Sequence, residues 1–124
     1  MAAVRGRILV VENDRSSQEA MCAVLRELGH VPIAVGAGKL ALHMLETESD
    51  IDLVITDVAM PEMDGIDFAN HASHVRPEIP VLFIAGNAAA VESLLANGAV
   101  ALMKPCAPDR LKSVIDEFLE EGAG

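Results

Sequence analysis

Apolar residues recur along this chain in short continuous runs that polar segments separate. The runs are rich in β-branched residues, a pattern typical of strands that are buried on both faces of a sheet. They predict five β-strands, at Arg7–Val11, Val31–Val35, Ile51–Thr56, Val81–Ile84 and Val100–Met103.

The segments between these strands have the spacing of amphipathic helices. Met21, Val24, Leu25 and Leu28 stand three or four residues apart, so they share one face of a first helix, which Gly29 ends. Four further helices are predicted in turn by Leu40, Leu42, Met44 and Leu45, by segments 65–75 and 87–96, and by Leu111, Val114, Ile115 and Phe118. Each strand is therefore followed by a helix.

Strict alternation of strands and helices predicts an α/β fold. Right-handed crossovers between parallel strands place helices on both faces of one sheet. In open sheets of this kind, ligands bind beyond the carboxyl ends of the strands, next to the point where strand order reverses. The residues that follow the strands are therefore candidates for a functional site: Glu12, Asn13 and Asp14, then Asp57, then Ala85, Gly86 and Asn87, and finally Lys104.

The composition restricts both the class of protein and its partners. With 124 residues, the chain is long enough for one domain with a buried core and too short for two. Hydrophobic residues make up 52% of it, which argues against a disordered chain. The net charge of −10 argues against nucleic acid as a direct partner and favours a cation or a basic protein surface. Apolar runs are too short to span a bilayer and no signal peptide is evident, so the cytoplasm is the expected location.

The acids and the lysine at the predicted rim indicate phosphoryl chemistry. Carboxylate oxygens match Mg²⁺, which retains waters that a phosphate can displace. The ammonium of Lys104 can pair with a carboxylate at rest and with a phosphoryl oxygen once one arrives. A carboxylate between a metal ion and a lysine can attack phosphorus and form an acyl phosphate, and Asp57 is the central candidate.

Three motifs resemble one known family. Segments 8–14 (ILVVEND), 57–65 (DVAMPEMDG) and 104–105 (KP), at these separations, are similar to the receiver domain of two-component response regulators. The resemblance covers nearly the whole chain and implies a flavodoxin-like sheet with strand order 2-1-3-4-5. We expect one receiver domain over residues 1–124 with no effector domain, either standing alone or cut from a larger protein.

The resemblance also implies residue roles. Asp57 would accept a phosphoryl group from a histidine kinase or a histidine phosphotransfer protein. Lys104 would contact that group, with a cis peptide bond before Pro105. The implied Mg²⁺ site consists of Glu12, Asn13, Asp57 and the backbone carbonyl of Ala59.

Three positions depart from the family pattern. Asn13 stands where an acid is usual, and an amide oxygen without formal charge should hold Mg²⁺ less tightly. Ala85 replaces the Ser or Thr whose hydroxyl binds the phosphoryl group, and Ala101 replaces the aromatic residue that moves with it. The phosphorylation signal would then pass through the loop at Gly86 and Asn87, through the added charge, or through dimerisation.

Some acidic residues have simpler interpretations. Asp14 is a good N-cap for the first helix, whereas Glu12 follows its strand directly and fits a cation better. Asp64 and Gly65 are interpreted as a turn and a helix start.

The histidines and cysteines are also interpreted as structural or exposed. His71 and His74 stand three residues apart in a helix without a third metal ligand. Cys22 and Cys106 lack metal-ligand spacing and are interpreted as reduced thiols, although Cys106 lies near a lysine that could make it redox-sensitive.

Two alternatives to a phosphorylated receiver stay open. A pseudo-receiver, an interaction module independent of phosphate, is favoured by Asn13, Ala85 and Ala101, whereas Asp57 and Lys104 favour phosphorylation. A nucleotide-binding enzyme of the same architecture would need a Gly-rich loop after the first strand, which is missing. We therefore expect a signalling module rather than a metabolic enzyme. Its predicted contact surface, for a target protein or a second copy, comprises the fourth helix, fifth strand and fifth helix.

Overall fold

The computed structural model describes the backbone of residues 5–123 and the side chains of residues 5–120. Within this part of the chain, no helix is both long and apolar enough for a bilayer crossing. The elements, in chain order, are β1 (Arg7–Val11), α1 (Arg15–Glu27), β2 (Val31–Val35), α2 (Gly38–Thr47), β3 (Leu53–Asp57), α3 (Gly65–Val75), β4 (Val81–Ala85), α4 (Ala88–Ala96), β5 (Val100–Met103) and α5 (Pro108–Ala123).

The five strands form one sheet in the order β2-β1-β3-β4-β5, and every neighbouring pair is parallel. The predicted α/β fold and strand order are therefore confirmed. Strand order reverses between β1 and β3, which are hydrogen-bonded neighbours. Because ligands in such sheets bind beside the reversal, the carboxyl ends of these two strands are the first place to look for a site.

Four predicted element boundaries were wrong by one or two residues. β3 begins at Leu53 rather than Ile51 and continues to Asp57. Ile51 is only 2% exposed and packs beneath α2 and α3, so burial explains its apolar character without strand pairing. β4 extends to Ala85, and α4 begins after Asn87, which is its N-cap.

Alternate strand residues divide the core between the two faces of the sheet. Ile8, Val10 and Ile55 pack beneath α1 and α5, whereas Leu9 and Val11 pack beneath α2 and α3. Side chains along a strand point alternately to opposite faces, so residue 12 continues the series of residues 8 and 10, and residue 57 continues that of residue 55. Both carboxylates therefore emerge on the face that α1 and α5 cover.

The second helix buries a narrower side than its sequence predicts. Ala41 and Leu45 are buried against the sheet, but Leu40 is 57% exposed. Leu40 is therefore a surface residue, although its apolar character helped to mark the helix.

Candidate functional site

A lysine joins two buried carboxylates at the carboxyl end of the sheet. The Nζ atom of Lys104 donates to Glu12 Oε1 at 2.6 Å and to Asp57 Oδ2 at 2.9 Å. The three side chains come from positions 12, 57 and 104 of the chain, and only the parallel sheet brings them together. This cluster is the candidate functional site.

Hydrogen bonds of its backbone N–H and carbonyl fix Glu12 at the end of β1. Its N–H donates to the carbonyl of Val35 at 3.1 Å, and its carbonyl accepts from Gln18 Nε2 at 3.1 Å. Only 7% of the side chain is exposed. One carboxylate oxygen, Oε2, is buried without a hydrogen-bond partner among the described residues, so Glu12 retains an unused acceptor.

The position of Asp57 is set by close packing of the backbone around it. Thr56 Oγ1 donates to the Asp57 carbonyl at 3.0 Å, and Gly65 N–H donates to the Val58 carbonyl at 2.8 Å. A Cβ atom on Gly65 would lie 2.2 Å from the Asp57 carbonyl oxygen. Only glycine therefore allows the start of α3 to approach the end of β3 this closely.

Lys104 reaches the carboxylates from the loop that follows β5. Its backbone N–H donates to the carbonyl of Ala85 at 2.8 Å, and the Lys104–Pro105 peptide bond is cis, the isomer that the family resemblance implies. The side chain is 32% exposed, so its ammonium faces solvent on one side and the two carboxylates on the other.

Burial and hydrogen bonds within the cluster shift the pKa values of Glu12 and Lys104. Burial raises the pKa of Glu12, and its hydrogen bond with Lys104 offsets that increase in part. Burial alone would lower the pKa of Lys104, but the hydrogen bonds with Glu12 and Asp57 outweigh it, so this pKa is raised. The lysine therefore remains an ammonium and can pair with an additional anionic oxygen.

Asn13 and Asp14 follow Glu12 but are exposed and have different partners. Asn13 Nδ2 donates to the carbonyl of Gly36 at 3.4 Å, a long hydrogen bond. Asp14 Oδ2 accepts from Ser17 N–H at 2.8 Å and caps α1, and this contact lowers the pKa of Asp14. The cap interpretation of Asp14 agrees with this geometry.

The two switch positions are buried alanines in neighbouring strands. Ala85 is 2% exposed and Ala101 is 5% exposed. Ala101 is the register partner of Phe83 and shares an apolar cluster with it and with Leu94 of α4. An aromatic side chain therefore does occupy this region, but it belongs to β4 rather than to β5.

The loop between β4 and α4 borders the same rim. Gly86 and Asn87 are exposed. Asn87 Oδ1 accepts from Ala90 N–H at 2.8 Å, so the side chain caps α4. The α4 cap thus lies two residues beyond Ala85.

The donor set at the rim has the chemistry that Mg²⁺ requires. Asp57 Oδ1 accepts only a long, 3.3 Å hydrogen bond from Ala59 N–H, and Glu12 Oε2 has no partner. Carboxylate, amide and carbonyl oxygens are hard ligands suited to this ion. Among residues 5–123 there is no group of three or more His, Cys, Asp and Glu side chains that could hold a metal.

A family model described as the response regulator receiver domain matches residues 8–116. The chain belongs to this family. The resemblance in the sequence motifs is thus confirmed, and the fold is that of a receiver domain of two-component signalling, a family for which phosphorylation and Mg²⁺ are typical. The homologues are response regulators rather than metabolic enzymes.

Individual relatives are similar at moderate identity. The response regulator receiver protein CpdR of Brucella abortus is 35% identical over 83 residues, which cover 67% of this chain and 68% of CpdR. The transcriptional regulatory protein ZraR of Escherichia coli is 35% identical over 115 residues, which cover 90% of this chain but 26% of ZraR. This receiver domain thus spans about a quarter of the length of ZraR.

Among solved structures, the response regulator TrrA of Thermotoga maritima, in complex with Mg²⁺ and BeF, has the same fold. Its TM-score is 0.83 at 24% identity, over 92% of this chain and 99% of TrrA.

Two residues of the site region were missed by sequence reasoning. Gly65 was interpreted as a turn and a helix start, which the start of α3 confirms, but its close packing against the Asp57 backbone was not predicted. Phe83 was assigned to a strand without any role at the switch positions, although it packs opposite Ala101. The Asp64-Gly65 pair in the sequence could have indicated the role of Gly65. The pairing of Phe83 with Ala101 depends on strand register, which no local pattern reveals.

Proposed function

We propose that this receiver domain accepts a phosphoryl group on Asp57 from a histidine kinase or a histidine phosphotransfer protein and signals through protein contact in the cytoplasm. The observation that supports this proposal most directly is the bridge from Lys104 Nζ to Asp57 Oδ2 at 2.9 Å and to Glu12 Oε1 at 2.6 Å. It places a permanent cation beside a buried carboxylate that is 11% exposed, so a nucleophile and a charge partner stand together.

In the proposed reaction, a carboxylate oxygen of Asp57 attacks the phosphorus of a phosphohistidine. An O–P bond forms and the P–N bond breaks, and the donor nitrogen keeps the electron pair and takes up a proton from solvent. Lys104 compensates the negative charge that the group brings to the rim. The contacts of Gly65 and Thr56 with the Asp57 backbone keep the carboxylate oriented during this step.

The residues that would hold Mg²⁺ are Glu12, Asn13, Asp57 and the backbone carbonyl of Ala59. When bound, the ion supplies positive charge that stabilises the phosphoryl oxygens. TrrA, a neighbour in fold, was solved with Mg²⁺ and BeF. We propose weaker Mg²⁺ binding here than in receivers with two adjacent acids, because Asn13 contributes no formal charge.

The proposal is tested by incubating the protein with acetyl phosphate and Mg²⁺ and measuring its intact mass. We expect an increase of one phosphoryl group, and no increase in Asp57→Ala. Asp14→Asn is the matched control, because it removes a nearby carboxylate but keeps a residue that caps α1 equally well. The assignment would be contradicted if Asp57→Ala still gained a phosphoryl group. It would also be contradicted if Asp14→Asn lost the mass increase while Asp57→Ala kept it.

The absence of a hydroxyl at Ala85 and the position of Asn13 favour a second candidate, the pseudo-receiver that acts without phosphate. Asn13 is exposed and its amide contacts Gly36 rather than the carboxylates. The same mass measurement separates the two functions. If no adduct forms even at high Mg²⁺ while circular dichroism shows a folded protein, the pseudo-receiver is favoured.

A further inference from the structure

A cavity of about 380 Å³ lies between α1 and α5, behind the lysine-carboxylate cluster. Its walls are mostly apolar and include Val10, Met21, Val24, Ile55, Ile84 and Leu111. Ala20 in its lining is exposed and Met21 and Val24 are half-buried, so the cavity is open to solvent along α1. An apolar cavity of about 150 Å³ suffices for benzene, so this one has room for a larger organic molecule.

The cavity shares part of its lining with the phosphoryl-accepting rim and extends beyond it. Glu12, Asp57 and Lys104 border both. The cavity lining does not include the rim residues Asn13, Ala59, Gly86 and Asn87. The cavity therefore extends from the three shared residues toward α1 and the loop before α5, and a ligand on Glu12 would compete there with Mg²⁺.

Small side chains leave this space open. Ala20 of α1 and Cys106 of the loop before α5 both border the cavity, and neither is long enough to fill the gap between the helices. Ligand sites in proteins are typically pockets of about 300–1,000 Å³ with apolar walls and a few convergent polar groups. This cavity has those properties.

The polar end of the cavity has an unused acceptor. Glu12 Oε1 accepts from Lys104, whereas Oε2 is buried without a partner. The terminal torsion of a glutamate is soft, so its carboxylate can turn toward a donor in the cavity without a change of rotamer along the rest of the side chain.

We propose that this cavity binds a small primary amine with an apolar body, its ammonium donating to Glu12 and its hydrocarbon part lying between α1 and α5. The ammonium satisfies the unpartnered oxygen of Glu12. The apolar body covers Val24, Ile55 and Leu111. Binding does not require phosphorylation of Asp57, so the proposal holds or fails independently of the proposed function.

The test uses 2-phenylethylamine and the ¹⁵N-labelled protein in buffer without Mg²⁺, so that the cation does not compete for Glu12. We expect saturable shifts of amide signals from the residues of α1 and α5 that line the cavity. 3-Phenylpropanoate, which has a similar body and the opposite charge, should bind at least about tenfold more weakly.

Two cavity-filling variants and one matched control locate the binding. Ala20→Leu and Cys106→Leu should each weaken amine binding by about tenfold or more. Ala23→Leu makes the same substitution on an exposed part of α1 that does not line the cavity, so it should leave affinity unchanged. Circular dichroism checks that each variant is folded. Two cavity-filling variants are used so that the test still works if one of them does not fold.

Several outcomes would overturn the proposal. These are the lack of saturable shifts at millimolar amine, unchanged affinity in whichever filling variants are folded, or equal weakening by Ala23→Leu. Equal binding of 3-phenylpropanoate would overturn the assignment of an ammonium to Glu12.

Discussion

Asn13 is the residue at which this receiver departs most directly from the expected metal ligands. Its side chain is exposed and makes only a 3.4 Å hydrogen bond with the Gly36 carbonyl, so little holds it away from the rim. We expect Asn13→Asp to tighten Mg²⁺ binding by roughly tenfold, because it adds a formal charge to a site of hard oxygen ligands. Isothermal titration with MgCl₂ measures the change.

The control for this substitution is Asp14→Asn, which changes the charge by the same amount in the opposite direction at the next position. The Asp14 carboxylate caps α1 by accepting from Ser17 N–H, so we expect Mg²⁺ affinity to be nearly unchanged in this variant. If Asn13→Asp leaves the affinity unaltered, position 13 is not a ligand. If Asp14→Asn weakens binding as much as Asn13→Asp tightens it, long-range charge rather than coordination is responsible.

His30 is a second residue whose chemistry leads to a measurable effect. It is 4% exposed, and its Nδ1 accepts from Gly6 N–H at 3.0 Å. Burial lowers the pKa of His30 from its ordinary value of 6.5. Because the unfolded chain then binds a proton more readily than the folded one, this contribution to stability is complete above about pH 6.5 and is lost as the pH falls toward the lowered pKa. A protonated Nδ1 can no longer accept from Gly6.

We expect the free energy of unfolding to fall as the pH decreases from about 6.5 to 5.5, and to fall less in His30→Gln, whose amide does not titrate. Urea denaturation followed by circular dichroism is the suitable measurement, since the chain has no Trp or Tyr. His71→Gln removes an exposed histidine and should keep the pH dependence of the parent protein. An equal pH dependence in His30→Gln and the parent would show that His30 does not cause it.

At the scale of elements, the junction between β3 and α3 fixes the phosphoacceptor. A Cβ atom at position 65 would lie 2.2 Å from the Asp57 carbonyl oxygen and 2.9 Å from Val58 Cα, and both are backbone atoms that move only with their strand. We expect Gly65→Ala to lower the free energy of unfolding by about 2–3 kcal/mol and to reduce phosphorylation of Asp57 by acetyl phosphate. Urea denaturation and intact mass measure the two effects.

Gly36→Ala is the matched control, because a Cβ atom there meets nothing within 4 Å. This variant should differ from the parent by less than about 1 kcal/mol and should be phosphorylated normally. Equal stability of the two alanine variants would mean that the strand end yields without cost and that Gly65 does not position Asp57.

The order of the elements was predictable because each strand is a continuous apolar run and each helix has a regular apolar spacing. The site was predictable because ligands in open parallel sheets bind beyond the carboxyl ends of the strands, where residues 12, 57 and 104 stand. The start of β3 was not predictable from the pattern. Ile51 is apolar because it is buried beneath the helices, and it does not pair in the strand. The pairing of Phe83 with Ala101 and the cavity behind Glu12 arise from register and from packing between distant segments, neither of which a local pattern records.

At the scale of the whole molecule, net charge and exposed apolar residues act against each other. The net charge of −10 makes two copies repel one another in dilute salt. The predicted contact surface formed by α4, β5 and α5 nevertheless includes Leu95, which is 52% exposed, and Met103, which is 49% exposed. Association through this surface should therefore strengthen with ionic strength, because salt screens the repulsion and leaves the apolar contact in place.

We expect the phosphorylated protein, or the protein with beryllofluoride and Mg²⁺, to form a homodimer through this surface. Leu95→Glu should prevent the dimer, since it places a charge in the apolar contact of both copies. Leu40→Glu introduces the same charge on α2, where Leu40 is 57% exposed, and should leave the dimer intact. Light scattering coupled to size-exclusion chromatography, at low and high salt, gives the mass directly. A monomer under every condition would exclude dimerisation, and equal loss in both variants would show that net charge rather than the α4–β5–α5 surface controls association.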